Sequence, residues 1–303
     1  MKNRSGFSLI ELIVVLAVLA LLMALLAPAV FASIERARNV TCKNRLRQLG
    51  VAIVNFDGAN NRMPPGLETY QQPGTSQIGY GFAWHLLLPN IGETTLWNQS
   101  CAGSAFCSVD NNRVREAKVS LYRCPQDDTD RGAGTVRDNL DTLYGASSYS
   151  GNALLFAVIL TDGVFPQFVS YSRPVGDTLS KVCRDGLSNT VLVTEKVAVC
   201  GRTGPYRGGA AWAYHEQANQ AFPYYAAVAL PWGPNAGTGP TTHFQVLTTP
   251  DGECDPREAS TRHQDGIPVL WADGHVSTLG RSFDQSLWWP LLTPDNGEVT
   301  STF

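Results

Sequence analysis

Apolar positions follow two patterns along this chain. From Leu12 to Ile34 they run together: 23 consecutive residues carry no charge, about 34 Å of helix, enough to cross a bilayer. From Cys42 to Phe56 they recur instead every third or fourth residue, through Leu46, Leu49 and Ile53, one stripe at helical period. Together the two stretches predict a single helix over 7–57. Its first part, about 10–32, spans a membrane, and its second part lays one face on a core. Asp57-Gly58, Asn60-Asn61 and Met63-Pro64-Pro65-Gly66 end it, since these residues favour turns or cannot continue a helix. Arg36, Arg38, Lys43, Arg45 and Arg47 mostly occupy the other faces, which suits a solvated stem or contact with anionic lipid.

Beyond the helix the pattern shortens. Asp-Gly recurs at 57, 162, 185, 251, 265 and 273, a dipeptide suited to tight turns because both residues tolerate positive φ. Val191–Thr194 and Ile267–Trp271 read as strands, and the apolar run Phe82–Pro89 suits either a strand or a helix. No internal repeat or long linker separates them. The expected fold class is α+β, a long N-terminal helix packed on an antiparallel β-sheet head with long loops. The expected domains are a leader over 1–6, the stem over 7–57 and the head over 58–303.

Composition narrows the function. The 303 residues are 44% hydrophobic and 16% charged, enough apolar material for a sizeable core and against wholesale disorder. Residues 1–57 carry 7 basic and 3 acidic side chains, and the remainder 16 and 23. An acidic head lacks the basic footprint that nucleic acid requires, so no nucleic-acid partner is expected.

Lys2 and Arg4 precede the apolar run and place the N-terminus in the cytoplasm by the positive-inside rule. Two readings of this segment differ in their cleavage point. A secretory signal would be cut after Val30-Phe31-Ala32, yet the run exceeds the ~7–15 residues of a signal core. Glu11 also sits inside it, where a carboxylate is costly and needs a partner. If the chain were cut after Gly6, the new amine of Phe7 would be a cation four residues away. Gly6-Phe7-Ser8-Leu9-Ile10-Glu11-Leu12 resembles the processing site of type IV prepilins and type II secretion pseudopilins. The resemblance implies cleavage after Gly6 by a prepilin peptidase that also methylates Phe7. It further implies pairing of Glu11 with a neighbouring subunit's N-terminal amine during filament assembly, and a helix-loosening role for Pro28.

A second resemblance spans the head. Arg38–Gly50, Pro64-Pro65-Gly66, Cys124-Pro125, Ser148–Asn152 and Asp185–Thr190 followed by Glu195 are similar to motifs of a large bacterial family of prepilin-like proteins without an assigned molecular function. That family is named for a C-terminal His, nine residues, then Asp-Gly, matched here by His263, Asp273 and Gly274. Its motifs include Cys42 and Cys124, a pair able to tie stem to head. Cys101 and Cys107, in a Gly/Ser-rich loop, are able to close locally. Seven cysteines in an exported chain imply disulfides and one leftover thiol, and the remaining connectivity stays open.

Candidate chemistry in the head is sparse. His263, Asp273 and His275 suggest a metal or general-base site, but the segment reads first as a hairpin: Ile267–Ala272, an Asp-Gly turn, then His275–Leu279. There His275 would cross near Ala272, and His263 would lie beyond the strand end, tying a loop such as 185–190 to the hairpin. Glu195 reads as a buried polar anchor or an acid. Asp251, Glu253, Asp255 and Glu258 offer oxygen ligands for Ca²⁺ without EF-hand spacing, so they are a calcium loop or a solvated turn. The solvated turn is the default reading, and calcium in the heads of related pseudopilins supports the calcium loop by analogy alone. Trp288-Trp289-Pro290, Pro231–Pro234 and Phe222–Tyr225 suit stacking on sugars or packing in a core.

The leading expectation is a structural subunit of a type II secretion-like or type IV pilus-like envelope filament, not an enzyme and without a required cofactor. A ligand- or glycan-binding module displayed on a pilin stem is the alternative, and an anchored hydrolase the weakest. Expected partners are the prepilin peptidase, other pilins or pseudopilins, inner-membrane assembly proteins and the bilayer. The expected location is the inner membrane, in a single pass with the head outside the cytoplasm.

Overall fold

The computed structural model describes residues 8–71, 78–103, 107–138, 141–156, 177–201, 208–213, 227–228, 242–250, 254–295 and 297. Helix α1, Leu9–Asn60, runs 52 residues without a break across Pro28. Its N-terminal turn is closed by Glu11, whose Oε2 accepts the Ser8 N–H at 2.8 Å. It outlasts the expected end at 57 by one turn, because Asn61 takes the left-handed conformation, φ 53°, and caps it. The stripe of Cys42, Leu46, Leu49, Ile53 and Phe56 is buried, joined by Gly50 and Ala52.

After α1 come β1 (Leu67–Gln71), β2 (Ile78–Phe82), the short α2 (Ala83–Leu86) and α3 (Thr94–Cys101). The ambiguous run at 82–89 is thus mostly helical. Next are β3 (Thr135–Arg137), β4 (Leu143–Gly145), β5 (Tyr149–Asn152), α4 (Leu179–Val182), β6 (Val191–Glu195) and β7 (Ala227–Val228). The chain closes with β8 (Phe244–Val246), β9 (Ala259–Thr261), β10 (Gly266–Trp271), β11 (Val276–Gly280) and α5 (Trp288–Leu292).

The main sheet has the order β11-β10-β6-β5-β7. Its pairings are antiparallel except β5 with β7, and the separate pair β8–β9 is parallel too. The two parallel pairs refine the wholly antiparallel head expected. Both join strands separated by long connections, the condition a parallel return requires.

Helix α1 packs across β10, β11 and β6. One core lies between stem and sheet and combines Leu46, Leu49 and Ile53 with Trp84, Leu87, Tyr122, Leu192 and Leu270. A second core covers the opposite face with Ile267, Val269, Trp271, Trp288 and Leu291. Both faces of β10 are therefore dry, which is why Ile267–Trp271 reads as an unbroken apolar run rather than an alternating one. Gly50 lets the stem come close to the sheet: a Cβ there would stand 3.0 Å from Leu270 Cδ1.

Candidate functional site

Four motif residues, distant in sequence, meet where the stem enters the head. Cys42, on the buried face of α1, is bonded to Cys124, just before Pro125. Glu195 ends β6, and His263 lies two residues beyond the end of β9. His263 Nε2 lies 3.2 Å from Glu195 Oε1 and 3.3 Å from Cys124 Sγ. The ligating atoms of all four residues fall within 4.8 Å of one another, and all four are buried.

The surroundings hold this cluster in place. Thr261 donates its hydroxyl to Glu195 Oε2 and accepts the His263 N–H at 3.1 Å. Tyr149, paired with Glu195 across β5 and β6, donates its hydroxyl to the Cys42 carbonyl at 3.1 Å. Asp127, in the loop after Cys124, accepts from Ser148 Oγ at 2.6 Å and the Ala198 N–H at 2.9 Å. Arg123 bridges Asp127 and Asp130, and Arg45 of α1 donates to the Arg123 carbonyl. Burial alone would push the His263 imidazole down, but the adjacent Glu195 carboxylate outweighs it and holds His263 above its ordinary range. Glu195 is buried with its two carboxylate oxygens turned to His263 and Thr261, and a site this enclosed suits a proton or a small ion rather than a polymer.

The Asp-Gly pair that follows His263 after nine residues lies elsewhere. Asp273 and Gly274 form the β10–β11 turn, where Gly274 has φ +92° and Asp273 Oδ1 accepts the His275 N–H at 3.0 Å. The hairpin is as expected, shifted by about one residue. His275 crosses to Trp271, whose N–H its carbonyl accepts at 3.0 Å, and its ring stacks on the Trp271 indole. The expected tie between His263 and the 185–190 loop is corrected: Ala272 N–H and Asp273 N–H donate to Thr190 and Leu187 carbonyls at 2.9 and 3.0 Å. Backbone at the turn holds that loop because β6, which the loop feeds, pairs with β10. His263 turns instead to the stem bridge.

Two family models match the chain. The family described as "Protein of unknown function (DUF1559)" matches residues 34–286. The chain belongs to this family. The prokaryotic N-terminal methylation motif matches residues 1–27, so this DUF1559 protein is type IV pilin-like. No curated protein and no solved structure matches it. Among the described residues, α1 is the one helix long and apolar enough to cross a membrane, a single-pass anchor when read with that motif.

Other candidate positions of the DUF1559 protein separate cleanly. Gly6 and Phe7 lie outside the described residues, as do Asp251 and Glu253. Of the remaining calcium candidates, Asp255 is paired with Arg257, and Glu258 accepts the His243 N–H at 3.3 Å. Burial tends to raise Asp255, but its bonds from Arg257 hold it below the usual carboxylate range; Glu258 is raised by burial. The charges of both carboxylates act on Lys196, which is wholly buried and driven down to about 7 by desolvation that they oppose. Trp288 is buried and packs edge-on against Phe244, so it belongs to the core. Pro231–Pro234 and Phe222–Tyr225 lie outside the described residues.

Cys101 is bonded to Cys107 and Cys200 to Cys254, while Cys183 is a buried thiol outside the bridges. Nothing in the sequence singles out the Cys200–Cys254 pairing, since seven cysteines leave many connectivities open, and no spacing separates Thr261 or Asp127 from other polar residues. His85 likewise carries no local signal. It is buried, 2.9 Å from Ser100 Oγ, and desolvation lowers it to about 4.

Proposed function

We propose that this DUF1559 protein is a structural subunit of a type II secretion-like or type IV pilus-like envelope filament, cut after Gly6 by a prepilin peptidase. The observation that carries the proposal is the division of α1 under a methylation motif. The head covers the helix from Cys42 onward and leaves the apolar half bare. Such a half suits first a bilayer and then the apolar stems of other pilins. In this reading Lys2 and Arg4 keep the N-terminus cytoplasmic, the head works outside the cytoplasm by packing rather than by catalysis, and no cofactor is required. In the uncut chain Glu11 accepts its own Ser8 N–H, a neutral amide; cleavage would bring a second donor that is cationic, the Phe7 amine of a neighbour.

The test is assembly itself. Mass spectrometry of native protein should find an N-methylated Phe7 at the N-terminus, and sheared cell-surface material should contain filaments that include this chain. Glu11→Ala should leave membrane insertion intact or easier and deplete the chain from those filaments. Unchanged incorporation would favour a module merely displayed on a pilin stem, and an N-terminus at Ser33 would overturn the filament reading.

A further inference from the structure

We propose that the stem–head bridge doubles as a redox-gated site for a zinc-class divalent cation, with Cys42, Cys124, Glu195 and His263 as its four ligands. In the oxidised chain the two sulfurs are bonded to each other. A dithiol reductant would reduce that bond with two electrons and two protons, becoming a disulfide itself and leaving two thiols. Each thiol gives up its proton as the cation binds, and the metal then joins α1 to the head where the sulfur–sulfur bond did.

Geometry supports this more directly than composition. Tetrahedral zinc with ~2.3 Å to sulfur and ~2.0–2.2 Å to nitrogen and oxygen separates neighbouring ligands by roughly 3.4–3.6 Å. His263 Nε2 already stands 3.2 Å from Glu195 Oε1 and 3.3 Å from Cys124 Sγ. The sulfurs must part to about 3.8 Å, a movement their broken bond permits, and the remaining separations, all within 4.8 Å, need only close to roughly 3.4–3.6 Å. Two thiolates, an imidazole and one carboxylate suit zinc rather than calcium or magnesium. Four protein ligands without an open position make a closed, structural site. The outer shell is in place too: Thr261 occupies Glu195 Oε2, leaving Oε1 turned toward His263. Tyr149 fixes the Cys42 backbone at 3.1 Å. Such supports orient ligands and raise metal affinity.

The site does not depend on the filament reading, because metal binding is measured on the isolated chain. The full chain in detergent would be reduced with dithiothreitol, desalted anaerobically and titrated with Co²⁺, then with Zn²⁺. The reduced chain should bind one equivalent of cobalt with a thiolate-to-cobalt charge-transfer band that zinc abolishes, and the oxidised chain should show no such band. His263→Ala and Glu195→Gln should each weaken binding at least about tenfold, and Cys42→Ser/Cys124→Ser should remove the band. All other thiols remain in these variants, so a band of equal strength in them would overturn the proposal, as would its absence from the reduced full chain. Should reduction unfold the head, zinc present during reduction should preserve its tryptophan emission. Equal loss with zinc and with chelator would also sink it.

Discussion

Helix α1 carries two kinds of apolar surface on one continuous backbone. In its outer half Leu9, Met23 and Phe31 expose 76%, 64% and 70% of their surface. In its inner half Leu46, Leu49 and Ile53 expose none, while Val51 and Val54, off the stripe, remain exposed. Hydrophobicity alone therefore does not decide burial; periodicity does. A stripe matched to 3.6 residues per turn can satisfy itself against one protein surface, whereas apolar groups all round demand an apolar solvent. Each fully buried Leu or Ile contributes about 1.5–3 kcal/mol of transfer free energy, so a few stripe residues suffice to dock the inner half.

The comparison breaks most visibly by making cavities. Leu49→Ala should lower head stability by about 2–5 kcal/mol, while Leu19→Ala, bare of the head, should leave it unchanged. Denaturant titration of the full chain in detergent reads this through tryptophan emission, since all seven tryptophans lie beyond the stem. Equal losses would mean the halves are not distinct. The bridge comes next. Opening Cys42–Cys124, which spans 82 residues, with a double serine variant should cost roughly 4 kcal/mol. The six-residue Cys101–Cys107 link should cost about 2. A reversed order in the same titration would place the structural weight away from the stem.

Two buried histidines in the head sharpen the comparison through pH, and they act with opposite sign. His85 is lowered to about 4, so the unfolded chain binds the proton more readily. Its contribution is present above about pH 6.5 and fades toward pH 4, by up to about 3 kcal/mol. His263 is raised, so its contribution is complete below the ordinary histidine range and is lost as pH rises through its folded value. Melting temperatures across pH 4–9 should lose the acid-side fall in His85→Phe and the alkaline-side fall in Glu195→Gln. If neither variant alters its limb, these assignments fail. The smallest effect is expected at the far turn of the hairpin. Gly274→Val puts a β-branched residue at φ +92° and should cost about 1–3 kcal/mol in the same melts. A wild-type melting temperature with lost biological function would recast the signature as a site.

Much of the molecule could be read in advance because its signals are local. The stripe at 42–56, the Asp-Gly hairpin turn and the processing motif each depend on neighbours within a few residues. The cluster at the bridge could be read only in part. The Cys42–Cys124 tie between stem and head is legible in the motifs and is present, but no local signal brings Glu195 or His263 to it, and the motif reading puts His263 at the 185–190 loop. The β9–β10 connection turns it toward β6 instead, through Thr261. The parallel pairs and the Cys200–Cys254 bridge are likewise products of long connections, whose return direction no local pattern encodes.

By itself, then, the sequence determined a pilin-type N-terminus, a helix with one membrane half and one docking half, and a turn-rich β head, because propensity and periodicity act over one or two turns of chain. Tertiary structure alone decided that Cys42, Cys124, Glu195 and His263 meet in one buried cluster while Asp273 sits apart at a hairpin tip. Such a meeting is set by sheet order and by the packing of α1 across β10, and both are selected by the burial of whole faces rather than by any residue's own preference.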